Sequence, residues 1–288
     1  MTHPSPFFTI IVATRNAESC IKKLLTSLCA QKYKNFSVII QDGISTDGTL
    51  EIAKRAQREL SQLTIYSAAD SGIYDAWNRA IKNVNENLGE WVLFLGADDQ
   101  LFDETVLERA HFALASQPKF ITFGAGALQM ISTSGRVLPD IFSPEIYAYE
   151  RVAPMRMPVP FLSLFIRNSV FSGVQFNTTY RIAGDYDFLL RTWKKRTQGI
   201  RLNFVVSYMT LGGISTQHDM ARCAAEETVR ARKENCILQR VFFIPMDHIN
   251  RGIYPYKLRL KEICKKNCLL YYCWKSLVKF RKKFFSEI

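Results

Sequence analysis

The chain has 288 residues, 48% of them apolar, enough for one large α/β domain or two small ones with a sizeable core. Its net charge of +12 is uneven: from residue 251 onward eleven Lys/Arg stand against two Asp/Glu, a net of +9, which leaves only +3 for the first 250 residues. The basic excess therefore belongs to a tail and points to an anionic surface rather than an anionic substrate. The seven cysteines are odd in number and form no Cys-x-x-Cys pair. Cys264, Cys268 and Cys273 have near-helical spacing and no nearby histidine, which argues against a zinc site. Free thiols suit a reducing compartment. The N-terminus lacks a basic start followed by an apolar run, so no signal peptide is expected. The longest uncharged stretch, residues 120–135, holds three glycines and is too short for a membrane span.

Residues 7–14 form a continuous β-branched and aromatic run, expected as a first buried strand ending at Arg15-Asn16. Residues 17–31 carry Ile21, Leu24, Leu25 and Leu28 at helical spacing. Residues 36–41 read as a second strand, followed by the turn-rich stretch 42–48 and a helix over 49–60. A third strand over 63–67 ends near Asp70, and a helix over 73–84 carries Asp75, Trp77 and Asn78. Residues 91–95 (Trp-Val-Leu-Phe-Leu) are apolar throughout, as in a strand buried on both faces. Strands alternating with helices imply a parallel sheet with right-handed crossovers. The second half is less regular. Strands are expected at 120–123, 162–166 and 202–206. A proline-rich loop covers 155–160, and a helix runs from about 184 to 195. A glycine-hinged loop follows at 211–216, then a long helix over 219–240.

Each of the first four strands ends in an acid or a polar pair: Arg15-Asn16, Asp42, Asp70 and Asp98-Asp99. On the carboxyl edge of a parallel sheet these form a polar crevice suited to a nucleotide. Adjacent carboxylates such as Asp98 and Asp99 repel each other unless a cation lies between them, and magnesium or manganese prefers such oxygen ligands. The competing reading is a helix N-cap. Gly124-Ala-Gly126 lacks the third glycine of a dinucleotide fingerprint, and no Walker or serine-nucleophile motif occurs.

Five segments, in this order, resemble the family 2 inverting glycosyltransferases of GT-A fold: 10–16 (IIVATRN), 41–49 (QDGISTDGT), 70–78 (DSGIYDAWN), 94–99 (FLGADD) and 184–191 (GDYDFLLR). The overall likeness is to bacterial enzymes of O-antigen and capsule synthesis. The resemblance implies an α/β, Rossmann-like nucleotide-binding half over 1–124, an acceptor and catalytic half over 125–216, and a helical region over 217–288. It implies a nucleotide-sugar donor, UDP-linked by family frequency, a Mn2+ or Mg2+ cofactor and a lipid-linked saccharide acceptor. Thr14, Asn16, Asp42, Asp70 and Asp98 would hold the nucleotide, and Asp98 and Asp99 the metal. Asp42 also fits an Asx-turn. Asp75 and Asn78 would face donor or acceptor, or else form helix-start bonds. Asp185 would be the general base, doubling as a helix cap, with Asp187 as the second choice. His218, after the glycine-hinged loop, would reach the metal or diphosphate, or lie in solvent. Two positions depart from the family pattern: Gly96 where many relatives have Asp, and Gly184 where the usual residue is Glu.

In the tail, Leu269, Cys273, Leu277, Phe280 and Phe284 share one helical face, with lysines opposite. Residues 265–288 thus suit an anionic membrane surface, which would make the protein peripheral on the inner face of the cell membrane, in the cytoplasm. A helix packed on the catalytic domain fits the same pattern. No nucleic-acid-binding module accompanies the charge.

Overall fold

The computed structural model describes residues 6–84, 87–132, 134–212 and 218–235. All lie within a single compact unit, residues 1–237. The first half follows the expected alternation. Strands β1 (Phe8–Thr14), β2 (Phe36–Asp42), β3 (Leu63–Ser67) and β4 (Trp91–Gly96) are linked by helices α1 (Ile21–Cys29), α2 (Thr49–Ala56) and α3 (Ile73–Val84). They pair in parallel in the order β3-β2-β1-β4. Thr14, Asp42 and Ser67 are in register, as are Ala13 and Gly96. The strands therefore finish together and bring their polar ends to one edge.

Alternation along β1 and β4 explains the double burial. Ile10, Val12, Leu93 and Leu95 face one core, packed on Ile21, Leu24 and Leu28 of α1. Ile11, Val92 and Phe94 face the other, packed on Trp77 of α3 and on Phe161, Phe176 and Phe188. Fully burying each such side chain stabilises the fold by about 1.5–3 kcal/mol.

The second half extends the same sheet. After the two-residue strand β5 (Gln100–Leu101) and helix α4 (Val106–Leu114) come β6 (Phe123–Ile131), the hairpin partner β7 (Val137–Phe142) and the short helix α5 (Tyr149–Val152). Then follow β8 (Leu164–Arg167), helix α6 (Gly184–Thr192), β9 (Gly199–Thr210) and α7 (His218–Asn235). β8 joins antiparallel to β4, and β6 and β9 follow, so the two expected halves share one nine-stranded sheet.

Several boundaries differ from those the sequence suggests. The strand expected at 120–123 runs instead from Phe123 to Ile131, straight through Gly124 and Gly126. Both glycines are strand residues where neighbours approach closely. A Cβ at 126 would run into Val206 Cγ2, and one at 124 would lie 2.7 Å from Leu114. β7 is an exposed edge strand carrying Pro139, so no period-two pattern marked it. Helix α6 stops at Thr192 because Trp193 turns extended and inserts its ring between Phe123 and Tyr149, at 4.5 and 4.2 Å. Residues 236–240 of the expected last helix and the basic tail 265–288 lie outside the described residues.

Candidate active site

The loops after β1 and β2 are locked together by hydrogen bonds, with Asp42 at the centre. Asp42 is fully buried. Its carboxylate accepts from the Thr14 hydroxyl at 3.1 Å, the Ser45 amide at 2.9 Å, the Ser45 hydroxyl and the Ser67 hydroxyl at 2.8 Å. A carboxylate has about four lone-pair sites, so Asp42 is saturated from within the protein. Burial pushes its pKa up, but these donors outweigh burial and hold it below the usual carboxylate value. Asn16 adopts a positive φ of 48°, and its side-chain oxygen accepts the Thr46 amide at 2.9 Å. Its own amide donates to Ser45 Oγ at 2.8 Å. The Ala17 amide donates to Thr49 Oγ1, the Glu18 amide to Asp47, and the Gly48 amide to Glu18. The stretch 42–49 is thus a rigid rack rather than a loose turn.

Asp70 stands beside this rack. One oxygen accepts the Gly72 amide at 3.0 Å, and the other would lie 2.7 Å from a Cβ at Gly43. Asp75 serves the start of α3: it accepts the Ser71 amide at 3.0 Å and pairs with Arg79 at 3.1 Å. Asn78 faces away from the strand ends. Its amide group donates to the Phe176 carbonyl and accepts the Phe176 amide, both at 2.9 Å. Asn78→Ala would leave both Phe176 backbone groups without these partners, so a loss of about 2 kcal/mol in stability is expected, with nucleotide affinity unchanged. Chemical denaturation and calorimetry would check the two outcomes separately.

Asp98 and Asp99 converge over Gly96. A Cβ at position 96 would meet Asp99 Oδ2 at 2.8 Å and Asp98 Oδ1 at 2.9 Å. A side chain at 96 would therefore have to displace one or both of these carboxylates. The Gly96 amide donates to Asp99 Oδ2 at 2.8 Å, and the Thr210 hydroxyl donates to the Asp98 carbonyl at 2.6 Å. Asp99 is only 3% exposed, and Asp98 is half-buried. Burial, then the neighbouring Asp98 charge, pushes the Asp99 carboxyl well above the usual range, and burial raises Asp98 as well. Two carboxylates pressed together without a fixed cation among the described residues fit a site for a hard divalent ion. No cluster of three or more His, Cys, Asp or Glu able to hold a metal occurs among the described residues. A hard divalent ion held by this pair would keep coordination positions open for water or a bound diphosphate.

Asp185 lies in the first turn of α6. Its Oδ1 accepts the Tyr186 amide at 2.7 Å and stands 3.5 Å from the Tyr74 hydroxyl. Tyr74 belongs to the first turn of α3, just past Asp70, and so ties Asp185 to the same sheet edge. Burial pushes the Asp185 carboxyl up to about 6. Gly184 lies under the Tyr74 ring: a Cβ there would be 2.7 Å from it, so the family's glutamate has no room. Asp187 is buried and turned to α7, where it pairs with Arg191 at 2.8 Å and accepts from Asn235 at 2.9 Å. His218 opens α7, and its side chain lies outside the described residues.

The edge therefore gathers Thr14, Asn16, Asp42, Asp70, Asp98, Asp99 and Asp185, while Asn78 and Asp187 hold secondary structure together. Ser45, Ser67 and Tyr74, which bond these acids, and Glu227, which accepts the amides of 181–183 just ahead of Asp185, were not singled out from the sequence. The serines carry a signal, since both sit beside strand ends. Glu227 carries none, because its partners lie 44–46 residues away.

The chain is also similar to known proteins. Residues 9–156 match the profile of Glycosyl transferase family 2. A PGL/p-HBAD biosynthesis glycosyltransferase of Mycobacterium bovis is 32% identical over 216 residues, covering 73% of this chain and 80% of the relative. A dolichyl N-acetyl-α-D-glucosaminyl phosphate 3-β-D-2,3-diacetamido-2,3-dideoxy-β-D-glucuronosyltransferase of Methanococcus voltae is 27% identical, covering 72% of this chain and 68% of the relative. Among solved structures, S. aureus TarS 1-349 in complex with UDP-GlcNAc superposes with a TM-score of 0.57 at 20% identity, covering 82% of this chain and 73% of that one. Glucosyl-3-phosphoglycerate synthase from Mycobacterium tuberculosis, in complex with Mn2+, UDP and glucosyl-3-phosphoglycerate, superposes with a TM-score of 0.55 at 12% identity, covering 80% of each chain. These two likenesses are of fold alone. The strand-end acids, the mixed sheet and the matched profile together make this chain a member of glycosyl transferase family 2, a glycosyltransferase of GT-A fold.

Proposed function

We propose that the protein transfers a hexose or N-acetylhexosamine with inversion from a UDP-linked donor to a lipid-linked saccharide during the synthesis of a surface glycoconjugate such as O-antigen or capsule. The observation that carries this reading is the division of carboxylates along one edge. Asp98 and Asp99 are pressed together over Gly96, whereas Asp185 stands apart with its pKa raised to about 6. The first pair would hold a divalent ion facing the leaving diphosphate, and the second position fits a base. The UDP-GlcNAc and UDP complexes of similar folds favour UDP, and the dolichyl phosphate relative favours a lipid carrier.

In this mechanism the rack around Asp42 fixes the crevice floor, and Thr14, Asn16 and Asp70 shape the nucleoside pocket. Asp98 and Asp99 would hold Mn2+ or Mg2+, which when bound offsets the negative charge that develops on the departing diphosphate. Asp185 takes the proton from the acceptor hydroxyl as that oxygen attacks the sugar's anomeric carbon from the face opposite the diphosphate. Its raised pKa keeps the carboxylate basic enough for that transfer near neutral pH.

A thermal-shift panel of UDP, GDP, dTDP and CMP, each with and without Mn2+, tests the donor reading. UDP with Mn2+ should raise Tm most, because a ligand of the folded state stabilises it by mass action. A larger shift with another nucleotide would replace UDP, and no shift with any would remove the donor site.

No helix among the described residues is long and apolar enough to cross a membrane. Attachment to the inner face of the cell membrane would fall to residues 265–288, where each lysine contributes on the order of 1 kcal/mol at an anionic surface. Deleting them should release the protein from anionic liposomes and spare donor hydrolysis, while binding by the full chain should fall with salt. Equal liposome binding by the truncated protein would show that the anchor lies elsewhere.

A further inference from the structure

The segment that leads into Asp185 has no cap of its own. Helix α6 begins at Gly184, and the Ala183 side chain at its N-cap accepts no hydrogen bond. The amides before a helix start are donors that need partners. Here the partner comes from another element. Glu227, in the middle of α7, accepts the Arg181 amide on Oε1 at 2.7 Å. Its Oε2 accepts the Ile182 and Ala183 amides at 2.8 and 2.9 Å. Three consecutive peptide groups thus converge on one carboxylate, a charge-assisted arrangement favoured further by the dipole of α6. From the other side, the Tyr74 hydroxyl donates to the Ile182 carbonyl at 2.6 Å. The backbone two to four residues ahead of Asp185 is therefore gripped between α3 and α7.

Other contacts of α7 with this region differ in kind. The buried Tyr180 donates to Glu234, and Arg230 donates to Thr179, both at 2.8 Å and both from side chain to side chain. Glu227 alone among the described residues of α7 binds the main chain that sets the position of Asp185.

We propose that Glu227 is a positioning residue for the transfer reaction, its carboxylate fixing the backbone at 181–183 and so setting where the Asp185 carboxylate stands against the acceptor hydroxyl. This rests on Asp185 being the base. The charged and titratable groups around the two acids are few. Tyr74 from α3 and Glu227 from α7 face Asp185, while Arg181 and Cys223 stand beside Glu227. After burial, the Glu227 charge is among the causes that raise the Asp185 pKa. Two separate effects follow: loss of the grip misplaces the base, and loss of the charge makes the base more acidic.

Two variants separate them. Glu227→Gln keeps one acceptor oxygen but turns an NH2 toward an amide N–H, and it removes the charge. Glu227→Asp keeps the charge on a shorter stem that cannot span all three amides. Full-length proteins are assayed with Mn2+ for hydrolysis of UDP-N-acetylglucosamine, or of another sugar nucleotide if that one alone is turned over, with water in the acceptor's place. UDP affinity is measured in parallel by calorimetry.

For Glu227→Gln, kcat should fall by about 10- to 100-fold, as for a misplaced catalytic group. UDP affinity should hold, and the acidic limb of the kcat profile should move to lower pH. For Glu227→Asp, kcat should fall while the limb stays with the wild type. A merely structural role would lower Tm and leave the limb of the remaining activity unmoved in Glu227→Gln, and that result overturns the proposal. So does wild-type kcat in either variant. Should Glu227→Gln not fold, Glu227→Asp decides by its kcat. Wild-type turnover by Asp185→Asn would instead remove the base assignment itself. An inactive Asp185→Asn beside a wild-type-like Glu227→Gln would remove only the role of Glu227.

Discussion

Replacing Asp185 by Asn is expected to lower transfer by about a thousandfold, within the range for loss of a general base, while leaving donor affinity intact. Asparagine is nearly isosteric, and its side-chain oxygen can still accept the Tyr186 amide that now donates to Oδ1 at 2.7 Å. The start of α6 should therefore survive, held as it is by Glu227. What the variant loses is an oxygen able to take a proton. The wild type should show the corresponding pH dependence. A base works only when ionised, so with the Asp185 pKa raised by burial to about 6, kcat should be full above that pH and fall as pH drops through it. Rapid-quench or steady-state assays from pH 5 to 8 would check the limb, and calorimetry with UDP would check the donor site. A variant that loses UDP affinity would mark Asp185 as a donor ligand, and one that melts much earlier would mark it as a cap.

Asp99→Asn should have the second large effect, and in a different pattern. Asp99 is buried, and burial followed by the charge of Asp98 pushes its pKa well up, so the ionised pair opposes folding when no cation is present. The sign follows from linkage: with the folded pKa raised above the unfolded value, stability is full at low pH and is lost as pH rises through the folded pKa. Removing one of the two charges at neutral pH should leave the metal-free protein at least as stable as the wild type. The same change should abolish the thermal shift given by Mn2+ with UDP. Turnover should fall by about a hundredfold or more, since losing some 3 kcal/mol of charge stabilisation at the diphosphate corresponds to that factor. Differential scanning fluorimetry with and without Mn2+, beside an activity assay, reads all three. Full activity in Asp99→Asn, or activity indifferent to chelator, would remove the metal from this site.

How much of this was legible in the sequence depends on the range of the interactions involved. Residues 8–14, 36–42 and 91–96 are strands buried on both faces, and a largely apolar, β-prone run ending at Arg15-Asn16, at Asp42 or before Asp98-Asp99 marks each of them. The strand-end acids were visible for the same reason. The registers that bring them to one edge follow from parallel pairing. Beyond residue 120 the signals are tertiary. Gly124 and Gly126 look like loop residues until Val206 and Leu114 are seen against them. The family resemblance leads one to expect acids at 96 and 184, and only the converging carboxylates at 96 and the Tyr74 ring at 184 explain why glycine fits. Asp42 reads as a ligand or a turn residue. Its four donors come from β1, β3 and the loop after β2, a convergence no local pattern encodes. Asp187 and Asp185 lie two residues apart, and only the packing of α7, whose Asn235 donates to Asp187, tells them apart.

The most direct measurement is the anomeric outcome of the reaction. UDP-N-acetylglucosamine, or whichever α-linked sugar nucleotide the protein hydrolyses, is incubated with protein and Mn2+ while the anomeric proton of the released sugar is followed by NMR, faster than mutarotation. Direct displacement by a hydroxyl that Asp185 deprotonates predicts the β-anomer first, with no release in the presence of chelator and almost none from Asp185→Asn. Initial appearance of the α-anomer, or equal release by Asp185→Asn, would contradict it.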